Sequence, residues 1–255
     1  MIRLAAVGDL HLGPDAAGTY RAQLGRLAGN AEVLLVAGDR TRHGTVEEGR
    51  VVADELRDLG LPVIAVLGNH DYHSDAQDEI TAMLRDAGIT VVEGEGVVVD
   101  CHGFRLGVAG GKGFGGGFAG KCCSDFGERE MKAFIAHTKE FSERLGTALL
   151  GLDADVRVAL THYSPVEDTL AGEPLEIYPF LGSYLMAEAI DCADVTLAVH
   201  GHAHKGTEKG ETPGGVRVRN VAMPVLQQAY TVYALDGLTG PAGEGACTGA
   251  IAGAS

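Results

Sequence analysis

Tryptophan is absent from the 255 residues, and aromatic residues of all kinds make up only 5%. A chain so poor in flat rings is badly supplied for stacking on single-stranded bases. Basic residues are also scarce. Against 35 acidic residues stand 20 lysines and arginines, a formal charge of -15, which disfavours a broad polyanion-binding surface and argues against long nucleic acid as a partner. The five cysteines, Cys101, Cys122, Cys123, Cys192 and Cys247, are odd in number and lack C-x-x-C spacing. Neither a disulfide framework nor a thiolate zinc site is indicated, and a reducing compartment is the natural reading. No run of about 18 apolar residues is present, and Ile2 to Val7 reads as a strand with no basic and apolar leader before it. A soluble, cytoplasmic protein without membrane contact is expected. No internal repeat is visible.

What the chain does have is apolar residues at 45% and 38 glycines, enough for a full core and for many tight strand-to-loop turns. Apolar runs at Ile2 to Val7, Glu32 to Ala37 and Val63 to Leu67 read as strands, with helical patterns between them at Tyr20 to Ala28 and from Thr45 to Leu59. Thr45 and Glu48 form the pattern of a capping box. The order β-α-β-α-β is the signature of a mainly parallel sheet covered by helices. A further helix, capped by Ser74 or Asp75, carries Ile80, Met83, Leu84 and Ala87 on one face. Three short strands follow, Ile89 to Val92, Gly96 to Asp100 and Phe104 to Ala109, and their Gly and polar turns suggest antiparallel pairing in a second sheet. The glycine-rich stretch 110–128 is expected to be irregular, either a flexible loop at the mouth of a site or a segment that touches substrate. A helix from Glu128 to about Leu149 and a strand from Val156 to Leu160 come next. They precede a short helix near Tyr184 to Ile190 and a strand from Val195 to Val199. Val216 to Val221 and Tyr230 to Leu235 are expected to close the second sheet. One domain over residues 1–237 is the expectation, with 238–255, rich in Gly, Ala, Thr and Ser, as a disordered tail.

The chemistry gathers where strands end. Val63 to Leu67 breaks at Gly68 into Asn69, His70 and Asp71. The same grammar recurs at Gly8-Asp9-Leu10-His11, Gly38-Asp39, Thr161-His162 and His200-Gly201-His202-Ala203-His204. In open α/β sheets such ends face a crevice in which ligands bind. Oxygen and imidazole donors without thiolate suit Mn, Fe, Zn or similar divalent ions, and Asp39 could bridge two of them. Of the ten histidines, His11, His70, His162, His202 and His204 stand at these positions. His200 reads as a structural neighbour, and His73, His102 and His137 as surface or packing residues. Cys122 and Cys123 are read as inert, with a redox role as the alternative.

In order and spacing these residues resemble the calcineurin-like metallophosphoesterase superfamily, whose series is D-x-H, G-D, G-N-H-D/E, a later His and G-H-x-H. Their setting is similar to the superfamily's compact bacterial members. The resemblance implies a four-layer α/β/β/α sandwich, with two mixed sheets flanked by helices, and two divalent metal ions. Asp9, His11 and His204 would hold the first ion and Asn69, His162 and His202 the second, with Asp39 bridging. A hydroxide between the metals would attack phosphorus, and His70 would bind the phosphate and protonate the leaving oxygen, with Asn69 close to the phosphoryl group. The protein phosphatase branch has G-D-x-x-D-R-G, whose second Asp orients the catalytic His. Arg42 stands at that place here, so Asp71 is expected to partner His70; His43 reads first as a surface-loop residue, with substrate contact as the alternative. The implied function is hydrolysis of a small phosphorylated substrate, a phosphodiester in preference to a monoester. A nuclease of the same fold and a non-catalytic protein-binding scaffold are the alternatives.

Overall fold

Alternate residues of the first strand belong to different cores. In the computed structural model, which describes residues 1–235, Leu4 and Ala6 of β1 (Ile2–Val7) pack into one apolar cluster, while Ala5 and Val7 pack into another. A strand buried on both faces needs apolar residues at every position, which explains the continuous runs in the sequence. After β1 come α1 (Arg21–Leu24), β2 (Val33–Ala37), α2 (Val46–Leu56), β3 (Val63–Val66), α3 (Gln77–Asp86) and β4 (Thr90–Val91). Strands β1 to β4 pair in parallel. The capping box forms as its spacing predicts: the Thr45 hydroxyl accepts from the Glu48 N–H, and the Glu48 carboxylate accepts from the Thr45 N–H, each at 3.3 Å.

The second half runs β5 (Glu95–Cys101), β6 (Phe104–Gly111), β7 (Gly117–Phe118), β8 (Lys121–Cys122), α4 (Arg129–Leu150) and β9 (Val156–Thr161). It continues through α5 (Tyr178–Leu181), α6 (Tyr184–Asp191), β10 (Leu197–His200), β11 (Lys209–Glu211), β12 (Arg217–Asn220), α7 (Met223–Leu226) and β13 (Thr231–Leu235). Five strands make one sheet, in the order β13-β1-β2-β3-β4, and six make the other, β11-β12-β10-β9-β6-β5. The two sheets lie back to back, since Leu4, Leu35 and Ile64 of the first share a core with Leu106, Val158 and Leu197 of the second. Helices cover the outer faces. Val52, Leu56, Ile80 and Leu84 pack on the first sheet, and Phe141, Leu145, Met186 and Ile190 on the second. This is the expected α/β/β/α sandwich.

Several local expectations are corrected. The segment from Tyr230 to Leu235 does not close the second sheet; β13 lies antiparallel to β1 at the edge of the first. The chain crosses over because the Gly8 N–H donates to the Val221 carbonyl and the Met223 N–H to the Gly8 carbonyl, which moves it from one sheet to the other. Likewise β4 runs parallel to β3 in the first sheet, so only β5 and β6 form the expected antiparallel pair. The stretch 110–128 is not wholly irregular, because β6 continues to Gly111 and β7 and β8 form a small hairpin. Outside contacts fix it: Gly116 and Gly117 donate to the carbonyls of Pro179 and Gly182, and the Thr138 hydroxyl donates to Gly115. Neither Ser74 nor Asp75 caps α3. Ala76 stands at its N-terminus, and the Ser74 hydroxyl donates to the His43 carbonyl instead, at 2.6 Å. The short strand β11 carried no apolar signal and was not foreseen. The tail expected at 238–255 lies outside the described residues. Among the described residues no helix is long and apolar enough to cross a membrane.

Replacing Thr45 by Ala removes one half of the capping box and is expected to lower stability by about 1 kcal/mol. The midpoint of urea unfolding checks this, and an unchanged midpoint would show that the box contributes nothing.

Candidate metal centre

Both sheets deliver their side chains at the carboxyl ends of parallel strands, and they deliver them to one place. Asp9 and His11 follow β1, Asp39 follows β2, and Asn69 and His70 follow β3. From the second sheet, His162 follows β9, and His202 and His204 follow β10. The loop after β1 is zipped to the loop after β2: the N–H groups of Asp9, His11 and Leu12 donate to the carbonyls of Gly38, Asp39 and Arg40 at 3.0, 3.0 and 2.7 Å. Four of these residues have left-handed backbones, with φ of 57° at Asp9, 45° at His11, 47° at Asp39 and 70° at His202. Such conformations cost about 1–3 kcal/mol each away from glycine, though Asp and His tolerate them better than most. They turn carboxylates and imidazoles out of the strand direction. Close approach needs small neighbours. A Cβ on Gly68 would lie 2.1 Å from an Asp39 carboxylate oxygen, and one on Gly201 would lie 2.2 Å from an Asp9 carboxylate oxygen.

Two groups of donor atoms result, each within 4.8 Å: Asp9, His11, Asp39 and His204 in one, and Asp39, His162 and His202 in the other. Asp39 belongs to both. Asn69 joins the second, its side-chain oxygen 2.9 Å from His162 Nε2. His204 Nε2 lies 2.9 Å from an Asp9 oxygen and 3.4 Å from His11 Nε2. His162 Nε2 lies 3.4 Å from one Asp39 oxygen, and His11 Nε2 lies 3.8 Å from the other. So many lone pairs converging around a buried carboxylate fit divalent cations, and the oxygen and imidazole set without sulfur suits Mn, Fe or Zn.

Backbone carbonyls set the imidazole tautomers. His162 Nδ1 faces the Ala37 carbonyl at 2.9 Å, which leaves Nε2 toward the ligand cluster. His202 Nε2 faces the Phe180 carbonyl at 3.2 Å, so its Nδ1 is the atom with a free lone pair. His70 Nδ1 faces the Arg42 carbonyl at 2.8 Å, and its Nε2 is 4.0 Å from Asp39. A donor proton fixed on one ring nitrogen leaves the other as ligand or acid, the usual outer support of a metal-binding imidazole.

The electrostatics agree. Burial alone would lower the pKa of His162, but the carboxylates of Asp39 and Asp9 outweigh it and push the group up to about 9. Burial disfavours the Asp39 anion, yet the facing His162, with the His70 N–H, carries its pKa well below the usual carboxylate range. Without metal, a proton on His162 therefore stands in for cation charge. His202 is pushed down to about 3, by burial first and then by His162, which keeps it neutral and able to donate a lone pair. His204 is raised, chiefly by its hydrogen bond to Asp9.

Two sequence expectations change here. Asp71 does not partner His70. It is fully buried and accepts from the Thr41 N–H and hydroxyl at 2.9 and 2.6 Å and from the Gly68 N–H at 2.9 Å, with the buried Arg40 guanidinium 3.5 Å away. It locks the two loops together beneath the site instead. Position 42 orients His70 after all, through its main-chain oxygen, while the Arg42 side chain pairs with Asp15 at 3.0 Å. His43 is an exposed loop residue, as its first reading has it, and pairs with Glu48 at 3.2 Å. His200 is fully buried, between the Gly201 carbonyl and the hydroxyls of Thr169 and Ser164. Sequence reasoning missed the carbonyls of Ala37, Arg42 and Phe180, which carry no side-chain signal, and the ring of Tyr163, 4.3 Å from that of His202.

Residues 2–206 match the family model of the calcineurin-like phosphoesterases. The chain belongs to that family. No curated protein sequence matches it. Among solved structures it is similar to the phosphopantetheinyl hydrolase of Mycobacterium tuberculosis, with a TM-score of 0.64 and 17% identity over 91% of this chain and 96% of that one. It is also similar to TT1561 of Thermus thermophilus, at 0.53 and 13% over 91% and 98%. A third similar structure is GAP50, the anchor in the inner membrane complex of Plasmodium, at 0.51 and 12% over 88% and 72%. Identities this low speak for the shared fold.

A metal ion taken up by His162 would have to displace the proton that its pKa, pushed up to about 9, favours there. Affinity is therefore expected to fall by up to about tenfold per unit as pH drops from 9 to 6, with release of about one proton at that site. Manganese titration calorimetry in buffers of different ionisation enthalpy measures this. Binding without proton release would contradict the proposed role of His162.

Proposed function

We propose that this protein hydrolyses a small phosphodiester with the help of two divalent metal ions, manganese, iron or zinc. The observation that carries the reading is the shared carboxylate: Asp39 belongs to both donor groups, with His70 Nε2 facing it at 4.0 Å. Two ions bound there supply charge neutralisation to the phosphoryl group and lower the pKa of water from about 15.7 towards about 7.

The chain's own residues do the rest. Asp9, His11 and His204 would hold one ion and Asn69, His162 and His202 the other, with Asp39 shared between the two donor groups. His70 is the most exposed ring of the set facing Asp39, with a side chain 43% accessible, so it stands where a substrate arrives. Its Nδ1 proton is held by the Arg42 carbonyl, and a proton carried on Nε2 is delivered to the leaving oxygen as general acid. Asn69, one residue before it, lies within reach of the same phosphoryl group. The diester preference follows from charge. Arg40 is buried against Asp71 and Arg42 is paired with Asp15, so neither guanidinium beside Asp39 offers the bidentate clamp that a dianionic monoester favours. The acidic balance of the chain disfavours long nucleic acid as the diester.

Metal-stripped protein reloaded with manganese is expected to turn over bis(p-nitrophenyl) phosphate faster than p-nitrophenyl phosphate. A monoester-dominated ratio would overturn the diester assignment. Replacing His70 by Ala should keep both ions, read by elemental analysis, while lowering kcat about 10²–10⁴-fold; replacing Asp39 by Ala should lose metal and turnover together. Two bound ions with no turnover of either compound would instead favour a protein-binding role for this fold.

A further inference from the structure

Lys112 stands at the end of β6, and its main chain is fastened to the metal centre. Its carbonyl accepts from the N–H groups of His162 and Tyr163 at 3.1 and 3.0 Å, while its own N–H donates to Glu93 at 2.9 Å. The side chain then runs into a cage of three rings. Nζ lies 4.8 Å from the centre of the Phe114 ring, 5.2 Å from that of Tyr72 and 5.2 Å from that of Tyr163. Two of these rings belong to residues beside the proposed machinery, since Tyr72 sits in the same short turn as His70 and Tyr163 follows His162 directly. The Tyr163 ring also touches the centre itself, at 4.3 Å from the His202 ring and 5.6 Å from the His162 ring. The ammonium is therefore one ring removed from the metal ligands.

Its hydrogen bonding is unfinished. Nζ donates to the Gly113 carbonyl at 3.2 Å, and among the described residues no carboxylate lies within the 4.0 Å of an ion pair. An ammonium has three N–H donors. A lysine that only fills space carries its head out to water or to an acidic partner. The protein has 35 acidic residues to draw on, yet this head is packed against ring faces, which attract a cation, and the Glu93 and Asp39 carboxylates act on it only through space, so two of its N–H donors keep no carboxylate partner among the described residues. The glycines on either side, Gly111 and Gly113, let the segment pass close to Phe141 and Tyr163, where a Cβ would come within 2.6 and 3.2 Å.

We propose that Lys112 determines specificity by binding a second phosphate on the substrate, outside the one held by the metals. The substrate is then a small phosphodiester that carries a further phosphate group. This rests on the phosphoesterase reading above. The two flanking arginines leave the scissile group unclamped, and the caged ammonium offers a further cationic contact beside Tyr163.

The test compares the p-nitrophenyl ester of thymidine 5′-phosphate with the same ester bearing a 3′-phosphate, on the manganese-loaded full chain. The expected preference for the phosphorylated compound is about tenfold or more in kcat/KM, expressed in KM. In K112M, which keeps the apolar stem, the preference should fall to within about threefold, and K112R should restore part of it, both at an unchanged melting temperature. Equal use of the two esters by the wild type, or a preference that K112M retains, overturns the proposal and leaves phosphoester hydrolysis standing. So does an equal loss of kcat on both esters together with a lower melting temperature, which is the mark of a packing role. If neither ester binds or reacts, the phosphoesterase reading fails and this inference fails with it.

Discussion

A single buried carboxylate organises this protein. Asp39 is 1% exposed, yet it accepts from the His70 N–H at 2.8 Å and stands between His162 and His11. A charge in such a place is costly unless something positive faces it. Two partners can meet that demand here, a proton on His162 or metal ions between the two donor groups, and they compete for the same lone pairs. Folding and ion binding would thereby be tied to one residue.

The carboxylate also marks the seam between the sheets. Parallel strands of both sheets point their carboxyl ends to the same edge, so back-to-back packing through Leu35, Ile64, Val158 and Leu197 puts the loops after β1, β2 and β3 against those after β9 and β10. Polar bonds then cross the seam. His162 Nδ1 faces the Ala37 carbonyl, and the His202 N–H lies 3.0 Å from an Asp9 carboxylate oxygen. The left-handed turns at Asp9, His11, Asp39 and His202 store backbone strain where the ligands must be aimed, and the zipped loops beneath keep them there. Asp71, bound to Thr41 and Gly68, is the peg of that support.

Around the centre the wall is aromatic and comes from the second half of the chain. The Phe180 carbonyl holds His202, the Tyr163 ring leans on it, and Phe114 carries both Lys112 and the edge of His137, at 4.6 Å. The segments that form this wall, 112–118 and 178–182, are bonded to each other through Gly116 and Gly117. The candidate metal-binding groups stand at strand ends, in the family pattern. The wall is where this chain's own sequence shapes what can approach them.

Much of this was legible in the residues alone. Apolar runs of five or six residues ending in Gly-Asp, Gly-Asn-His or His-x-His report both a strand and a candidate ligand, because a buried strand excludes polar groups until it ends. The seven candidate ligand positions stand out that way, and the capping box at Thr45 by its spacing. Pairing partners do not, since β13 and β4 carry the same apolar signal whichever sheet they join, and only the crossover bonds at Gly8, Val221 and Met223 decide it. The orientation of His70 by the Arg42 carbonyl and the burial of Asp71 away from it were equally hidden, because every residue has a carbonyl and position alone gives it a role. Composition and spacing determined which atoms could bind metal; the packing of two sheets decided which way each of them points.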